Sequence, residues 1–199
     1  MIKVPVTRQD LEKIANHIGF DGLDLSRIST IFITQIIQTI QRQDTIDIVL
    51  MNNILNEIRF LEGIKSTSST KPAKKFRHQP LQGLMKKHFY DEKFYVKNLS
   101  QHFSFKYIDN KKLDNLISEA FSKNTSGYID TNFSNYIADG IINGIKERAI
   151  KNELTGEWIV FKQHNGKNYY LTLASHNEKD DDIYKRVCDA YKFDFSFLQ

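Results

Sequence analysis

The sequence predicts an α+β fold: a helical N-terminal unit, followed by helices packed on a small antiparallel sheet built around a C-terminal β-hairpin. Three observations predict it. Asn165-Gly166 stands between two β-rich runs, 157–163 and 168–175, and both central residues of a type I′ turn need positive φ, which Asn and Gly tolerate best. Apolar residues recur at three- and four-residue spacing through most of residues 7–61, the period of a helix with one buried face. Between these regions, 63–75 is rich in Ser, Thr, Lys and Pro with few apolar residues. The expected organisation is a helical unit at 1–62, a flexible basic linker at 63–75 and an α+β domain at 76–199.

The hairpin fixes its own register. With Asn165-Gly166 as the loop, His164 pairs with Lys167, Phe161 with Tyr170, Ile159 with Thr172 and Glu157 with Ala174. One face then carries Trp158, Val160, Leu171 and Leu173 and reads as core. The other carries Glu157, Ile159, Phe161, Tyr170, Thr172 and His176, so Glu157 and His176 become diagonal neighbours near the hairpin base.

The helices follow in order. Thr7 with Asp10 caps a first helix bearing Leu11, Ile14, Ala15 and Ile18. A second, from about 26 to 42, carries Ile28, Ile31, Phe32, Ile36 and Ile40. A third, opened by Asp44 or Thr45, carries Met51, Ile54, Leu55, Ile58 and Leu61. Beyond the linker, Pro80 at a first helical position, with Leu81, Leu84, Met85 and His88, reads as a short helix whose other face shows Lys86 and Lys87. Asp109 is expected to cap a helix with Leu113, Leu116, Ile117 and Ala120. A longer one from about Asp130 carries Phe133, Ile137, Ile141, Ile145 and Ala149, with Gly140 and Gly144 beside the stripe where another element comes close. A last helix holds Ile183, Val187 and Ala190, and the alternation of Tyr191, Phe193, Phe195 and Phe197 reads as a strand or a tail laid along a groove.

Charge points to an acidic partner. Lys and Arg exceed Asp and Glu by four over the 199 residues. Most of that excess falls between Lys71 and Lys112, where Lys74, Lys75, Arg77, Lys86 and Lys87 are interleaved with Phe76, Phe89, Tyr90, Phe94 and with His78, His88 and His102. Cations that meet phosphates beside rings that stack on unpaired bases are the ingredients of single-strand binding, and Lys162 and Tyr170 of the hairpin join the candidate set. RNA is the favoured nucleic acid. A single cysteine, Cys188, excludes an internal disulfide framework and a multi-cysteine zinc site, which suits a reducing compartment. The start of the chain lacks the apolar core of a signal peptide, and no run approaches the roughly 20 apolar residues that cross a bilayer. A cytoplasmic protein without a membrane partner is expected. The six histidines form no HxH or HExxH pattern, so neither a metal nor another cofactor is expected.

Cleavage of RNA suits such a set. A base removes the 2′-hydroxyl proton, a cation steadies the charge on phosphorus, and an acid protonates the leaving oxygen, with no metal required. Glu157 and His176 are the first acid–base candidates, and His78 and His88, which flank the basic segment, are the next. The alternative is a protein that binds without chemistry: a nucleic-acid module, or a protein-interaction partner such as an antitoxin or immunity factor.

The order of helices before an antiparallel hairpin, over residues 80–199, resembles metal-independent ribonuclease toxins of bacterial toxin–antitoxin and contact-dependent systems. The resemblance lies in element order, not in a diagnostic motif. It implies cleavage on the sheet by Glu157 and His176, a phosphate contact at Lys86-Lys87, and a cognate inhibitor protein as partner.

Overall fold

The computed structural model describes residues 7–42, 48–103 and 111–199. Its helices are α1 (Arg8–His17), α2 (Thr30–Arg42), α3 (Ile48–Leu61), α4 (Tyr95–His102), α5 (Lys111–Lys123), α6 (Thr131–Ile150) and α7 (Asp180–Phe193). Its strands are β1 (Lys74–Lys75), β2 (Met85–Phe89), β3 (Glu157–His164) and β4 (Lys167–Ala174), hydrogen-bonded in that order and antiparallel throughout. The fold is α+β, as the sequence predicts.

The hairpin turns at Asn165-Gly166, both with positive φ. From the tip the register follows expectation as far as Phe161↔Tyr170; then it slips, and Val160 pairs with Thr172, Ile159 with Leu173 and Trp158 with Ala174. Leu171 is the extra residue of a β-bulge. Strict alternation would put Leu171 and Leu173 on one face. The bulge separates them, because both faces of this sheet are buried. Ile159, Phe161, Tyr170 and Leu173 enter a core with Phe32, Ile36, Leu55 and Ile58 of α2 and α3. Val160, Leu171 and Ala174 enter a second core with Ile183, Val187 and Ala190 of α7. The expected half-polar face is therefore a packed one, and each large side chain in it contributes about 1.5–3 kcal/mol by leaving water.

The N-terminal helices build the first of these cores. Thr7 and Asp10 form the expected capping box on α1, and α3 buries Met51, Ile54, Leu55 and Ile58 as its spacing predicts. The expected caps Asp44, Thr45 and Asp109 lie outside the described residues. The chain turns through a short 3-10 segment, Leu25–Arg27, before α2. There Ser29 N–H donates to the Tyr170 carbonyl at 2.9 Å, and its hydroxyl donates to Leu171 at 2.6 Å, closing the free edge of β4. Residues 63–75 carry β1 and the buried Thr70, which bridges to Leu154.

Two expectations for local structure are overturned. Residues 85–89 form strand β2, not the second turn of a helix begun at Pro80. Only Leu81 and Leu84 are apolar before it, too few for a helical stripe, and Gly83 with φ 89° breaks any helix there. Tyr191 and Phe193 complete α7 instead of starting a strand; Phe195 and Leu198 then fold back into the second core through a 3-10 turn.

On α6, Asp130 caps the helix by accepting from Phe133 N–H. A Cβ on Gly140 would lie 2.3 Å from Leu116 of α5, and one on Gly144 would lie 2.8 Å from His102 of α4. The two glycines mark the close approach expected of them.

Candidate functional site

The pairing of β2 with β3 sets His88 opposite Trp158 and Phe89 opposite Glu157. Alternation sends Lys87 and Phe89 towards α3, while Lys86 and His88 project on the side of α7. Beyond Ala174 the chain leaves the sheet through a turn that Glu157 holds together. Its carboxylate accepts the Ser175 hydroxyl at 2.8 Å and the His176 backbone N–H at 2.7 Å. His176 Nδ1 lies 3.4 Å from the same carboxylate, and Lys93 Nζ lies 2.7 Å from its other oxygen. Glu157 and His176 thus meet, as the sequence suggests, but the bulge changes how: Glu157 grips the turn after β4 rather than facing a continued ladder.

This environment fixes the charge of Glu157. Burial pushes its carboxyl up, but hydrogen bonds from His176, Lys93 and Ser175 outweigh burial and hold it down at about 2. A carboxylate so held is a fixed anion at neutral pH and a poor proton carrier. Its contribution is to position His176.

Two imidazoles lie together beside it. His88 and His176 stack with ring centroids 5.2 Å apart, and His176 also packs on Trp158 at 4.4 Å and Phe94 at 5.4 Å. His88 Nδ1 sits 2.8 Å from the Gly156 carbonyl and 3.4 Å from the Gly156 N–H; the shorter contact needs an N–H on Nδ1, which leaves the lone pair of the neutral ring on Nε2. Burial pushes the His88 pKa down to about 4 against that hydrogen bond, and the charges of His176, Lys71 and Lys86 add to the shift.

Trp158 connects the pair to a basic strip. Its ring meets Phe76 edge-on at 5.6 Å, and Lys86 Nζ lies 4.0 Å from the Trp158 ring centroid and 4.5 Å from that of Phe76. Burial holds the Lys86 ammonium below its ordinary value. Exposed Lys74, Lys75, Arg77 and His78 continue the strip along a groove of about 350 Å³, with Asp180 at its rim.

The remaining candidates are placed elsewhere. Lys87, expected at a phosphate, is fully buried: its ammonium meets Glu57 at 3.1 Å, the Ser68 and Thr70 hydroxyls at 2.8 Å each and the Lys71 carbonyl at 2.8 Å. A nucleic-acid contact there is ruled out by the strand, which turns alternate residues to opposite sides. Tyr170 is likewise buried, its hydroxyl donating to Glu62 at 2.7 Å. Lys162 lies towards the hairpin tip and donates to the Leu198 carbonyl at 2.6 Å, apart from the strip. His102 packs beneath α6, and His164 rests against Tyr169 and Phe197.

Sequence reasoning missed Trp158, Lys93 and the Gly156 carbonyl. The available signal was the Gly156-Glu157-Trp158 run itself, which sets a carboxylate beside the large ring of the chain's single tryptophan. Among the described residues no group of three or more His, Cys, Asp or Glu is placed to hold a metal ion, and no helix is long and apolar enough to cross a membrane. Comparison with protein families, curated proteins and solved structures finds no match for the chain.

Proposed function

We propose that the chain is an endoribonuclease of toxin type, working in the cytoplasm and acting by general acid–base chemistry at His88 and His176. The observation that carries this reading is the stacked imidazole pair, each ring anchored through Nδ1 so that Nε2 is free to exchange a proton. Neutral His88 takes the proton of the RNA 2′-hydroxyl. The 2′-oxygen then bonds to phosphorus as the bond from phosphorus to the 5′-oxygen breaks, and His176 gives its proton to that oxygen. The products are a 2′,3′-cyclic phosphate and a 5′-hydroxyl, and water resets the pair by taking the proton from His88 and giving one to His176. Lys86 meets the phosphate, while Lys74, Lys75, Arg77 and His78 hold the strand on either side. A cognate inhibitor protein is the partner such a toxin needs inside its own cell.

A second reading, RNA binding without cleavage as in an antitoxin or immunity factor, is favoured by the fully engaged Glu157, which has no need of a substrate to satisfy it. One experiment separates the two. The protein is incubated with single-stranded RNA and DNA of the same sequence, with and without a chelator. RNA fragments ending in 2′,3′-cyclic phosphate, unaffected by the chelator, support cleavage. Retention of intact RNA supports the second reading, and cutting of DNA at an equal rate overturns the first, since DNA has no 2′-hydroxyl.

A further inference from the structure

A different cavity, of about 690 Å³, lies on the α3 side of the sheet, between that helix, residues 65–69 and the end of α6. Its chemistry is unlike that of the basic strip. Glu57 and Ser68 line the cavity, Ser68 donating to Glu57 at 2.7 Å, and the fully buried Lys87 behind them cancels the charge of that carboxylate at 3.1 Å. A ligand entering here meets a neutral polar base, not a net charge. Phe60 and Tyr90 supply aromatic walls, and Ala149 and Ile150 an apolar one.

Two carboxamides stand on the α3 wall. Asn53 and Asn56 are one helical turn apart and share a face. Asn53 donates to the Tyr90 carbonyl at 3.0 Å, which steadies the strand end carrying that ring. Asn56 is half-buried, and no hydrogen bond to its side chain is found among the described residues. Its donor and acceptor are both available to a ligand, side by side. That pair matches the N7 acceptor and N6 donor of adenine, whereas guanine shows two acceptors on the same edge. At the mouth, Lys65 with Ser66 and Thr67 offers one cation and two hydroxyls, a set suited to a phosphate.

We propose that this cavity binds an adenine nucleotide, with Asn56 on the base edge, Phe60 and Tyr90 along its faces and Lys65 at the phosphate. A volume of this size is in the range of small-molecule sites. The nucleotide comes either free or as an unpaired adenosine of an RNA strand. The site is independent of the histidine pair and stands or falls without it.

The test is titration calorimetry of the full chain with AMP, adenosine, UMP, GMP and ribose 5-phosphate. AMP should bind at least about tenfold more tightly than GMP or UMP, the discrimination one bidentate base contact supplies. Asn56→Leu, of similar volume, should remove that preference while the thermal midpoint stays unchanged. Lys65→Ala should bring AMP down to the affinity of adenosine, giving a second readout that does not depend on Asn56. Stronger binding of a short oligoadenylate than of AMP assigns the site to RNA, and the reverse order assigns it to the free nucleotide. Equal binding of AMP, UMP and ribose 5-phosphate, or no binding of AMP, would overturn the proposal. His88→Ala leaves all of these outcomes in place, so failure of the cleavage reading is distinguishable from failure here.

Discussion

His88 and His176 stack 5.2 Å apart while their Nδ1 atoms are anchored to consecutive residues at the start of β3: His88 on the Gly156 carbonyl and His176 on the Glu157 carboxylate. One stretch of backbone therefore orients both rings. His88→Ala and His176→Ala should each lower RNA cleavage by roughly two to four orders of magnitude, the usual contribution of a general acid or base, with the far-ultraviolet circular dichroism spectrum retained. Glu157→Gln keeps the shape of the positioning residue and removes its charge. It should change the pH profile of cleavage as well as its rate, which a purely structural loss would not do. Unaltered rates in both histidine variants would remove the pair from the mechanism.

Acid stability should show two windows. His88 is held near 4 in the folded chain against about 6.5 when unfolded, so the unfolded state binds more protons between those values. Its contribution is present above pH 6.5 and is lost as pH falls towards 4. Glu157 is held near 2 against an ordinary value of about 4.5 when unfolded, so its contribution is lost between pH 4.5 and 2. Each is worth roughly 1–3 kcal/mol, less than the full shift because neither group is wholly removed from solvent screening. Urea denaturation across pH 2–8 should show His88→Phe flattening the upper window and Glu157→Gln the lower. Identical slopes in wild type and variants would contradict the environments described for these groups.

Much of the fold is legible in the sequence because its signals are local. The Asn165-Gly166 turn, the Thr7 and Asp10 capping box and the stripe of α3 each follow from residues a few positions apart. The bulge at Leu171 is not legible, since it answers to two cores that residues from α2, α3 and α7 bring to opposite faces of β4. For the same reason Lys86 and Lys87 look alike in sequence yet part in space: strand alternation leaves one on rings near the surface and sends the other to Glu57. Glu157 and His176 could be brought together from the hairpin alone, but His88 joins them only through the pairing of β2 with β3, which closes a gap of nearly 70 residues.

The two lysines should accordingly separate by experiment. Lys86→Ala should weaken RNA binding and lower the salt dependence by about 0.7 in the log–log slope, the increment for one phosphate contact on a single strand. Lys87→Ala strands Glu57 without its counter-charge and should cost roughly 3–5 kcal/mol of stability. Replacing both members, Lys87→Met with Glu57→Leu, should recover most of that loss, because no buried charge is then left alone. A Lys87→Ala protein as stable as wild type would show that the pair is not buried in solution.

Gly156 offers the sharpest test of how closely the strands approach at the site. A Cβ built on it would lie 1.7 Å from the Phe89 carbonyl oxygen and 2.7 Å from the Phe89 carbonyl carbon, both backbone atoms that no side-chain rotation can move. Gly166 provides the control: its φ is 73° and nothing lies within 4 Å, so alanine there costs only the backbone strain, about 1 kcal/mol. Gly156→Ala must push β2 from β3 and should cost well over that, about 3 kcal/mol or more. It also shifts the carbonyl that anchors His88, so cleavage should fall further than the loss of folded protein explains. Denaturation midpoints of the two variants, read alongside activity per folded molecule, check both parts. If Gly156→Ala is no more destabilising than Gly166→Ala, the close contact between Gly156 and Phe89, and with it the anchoring of His88, does not hold.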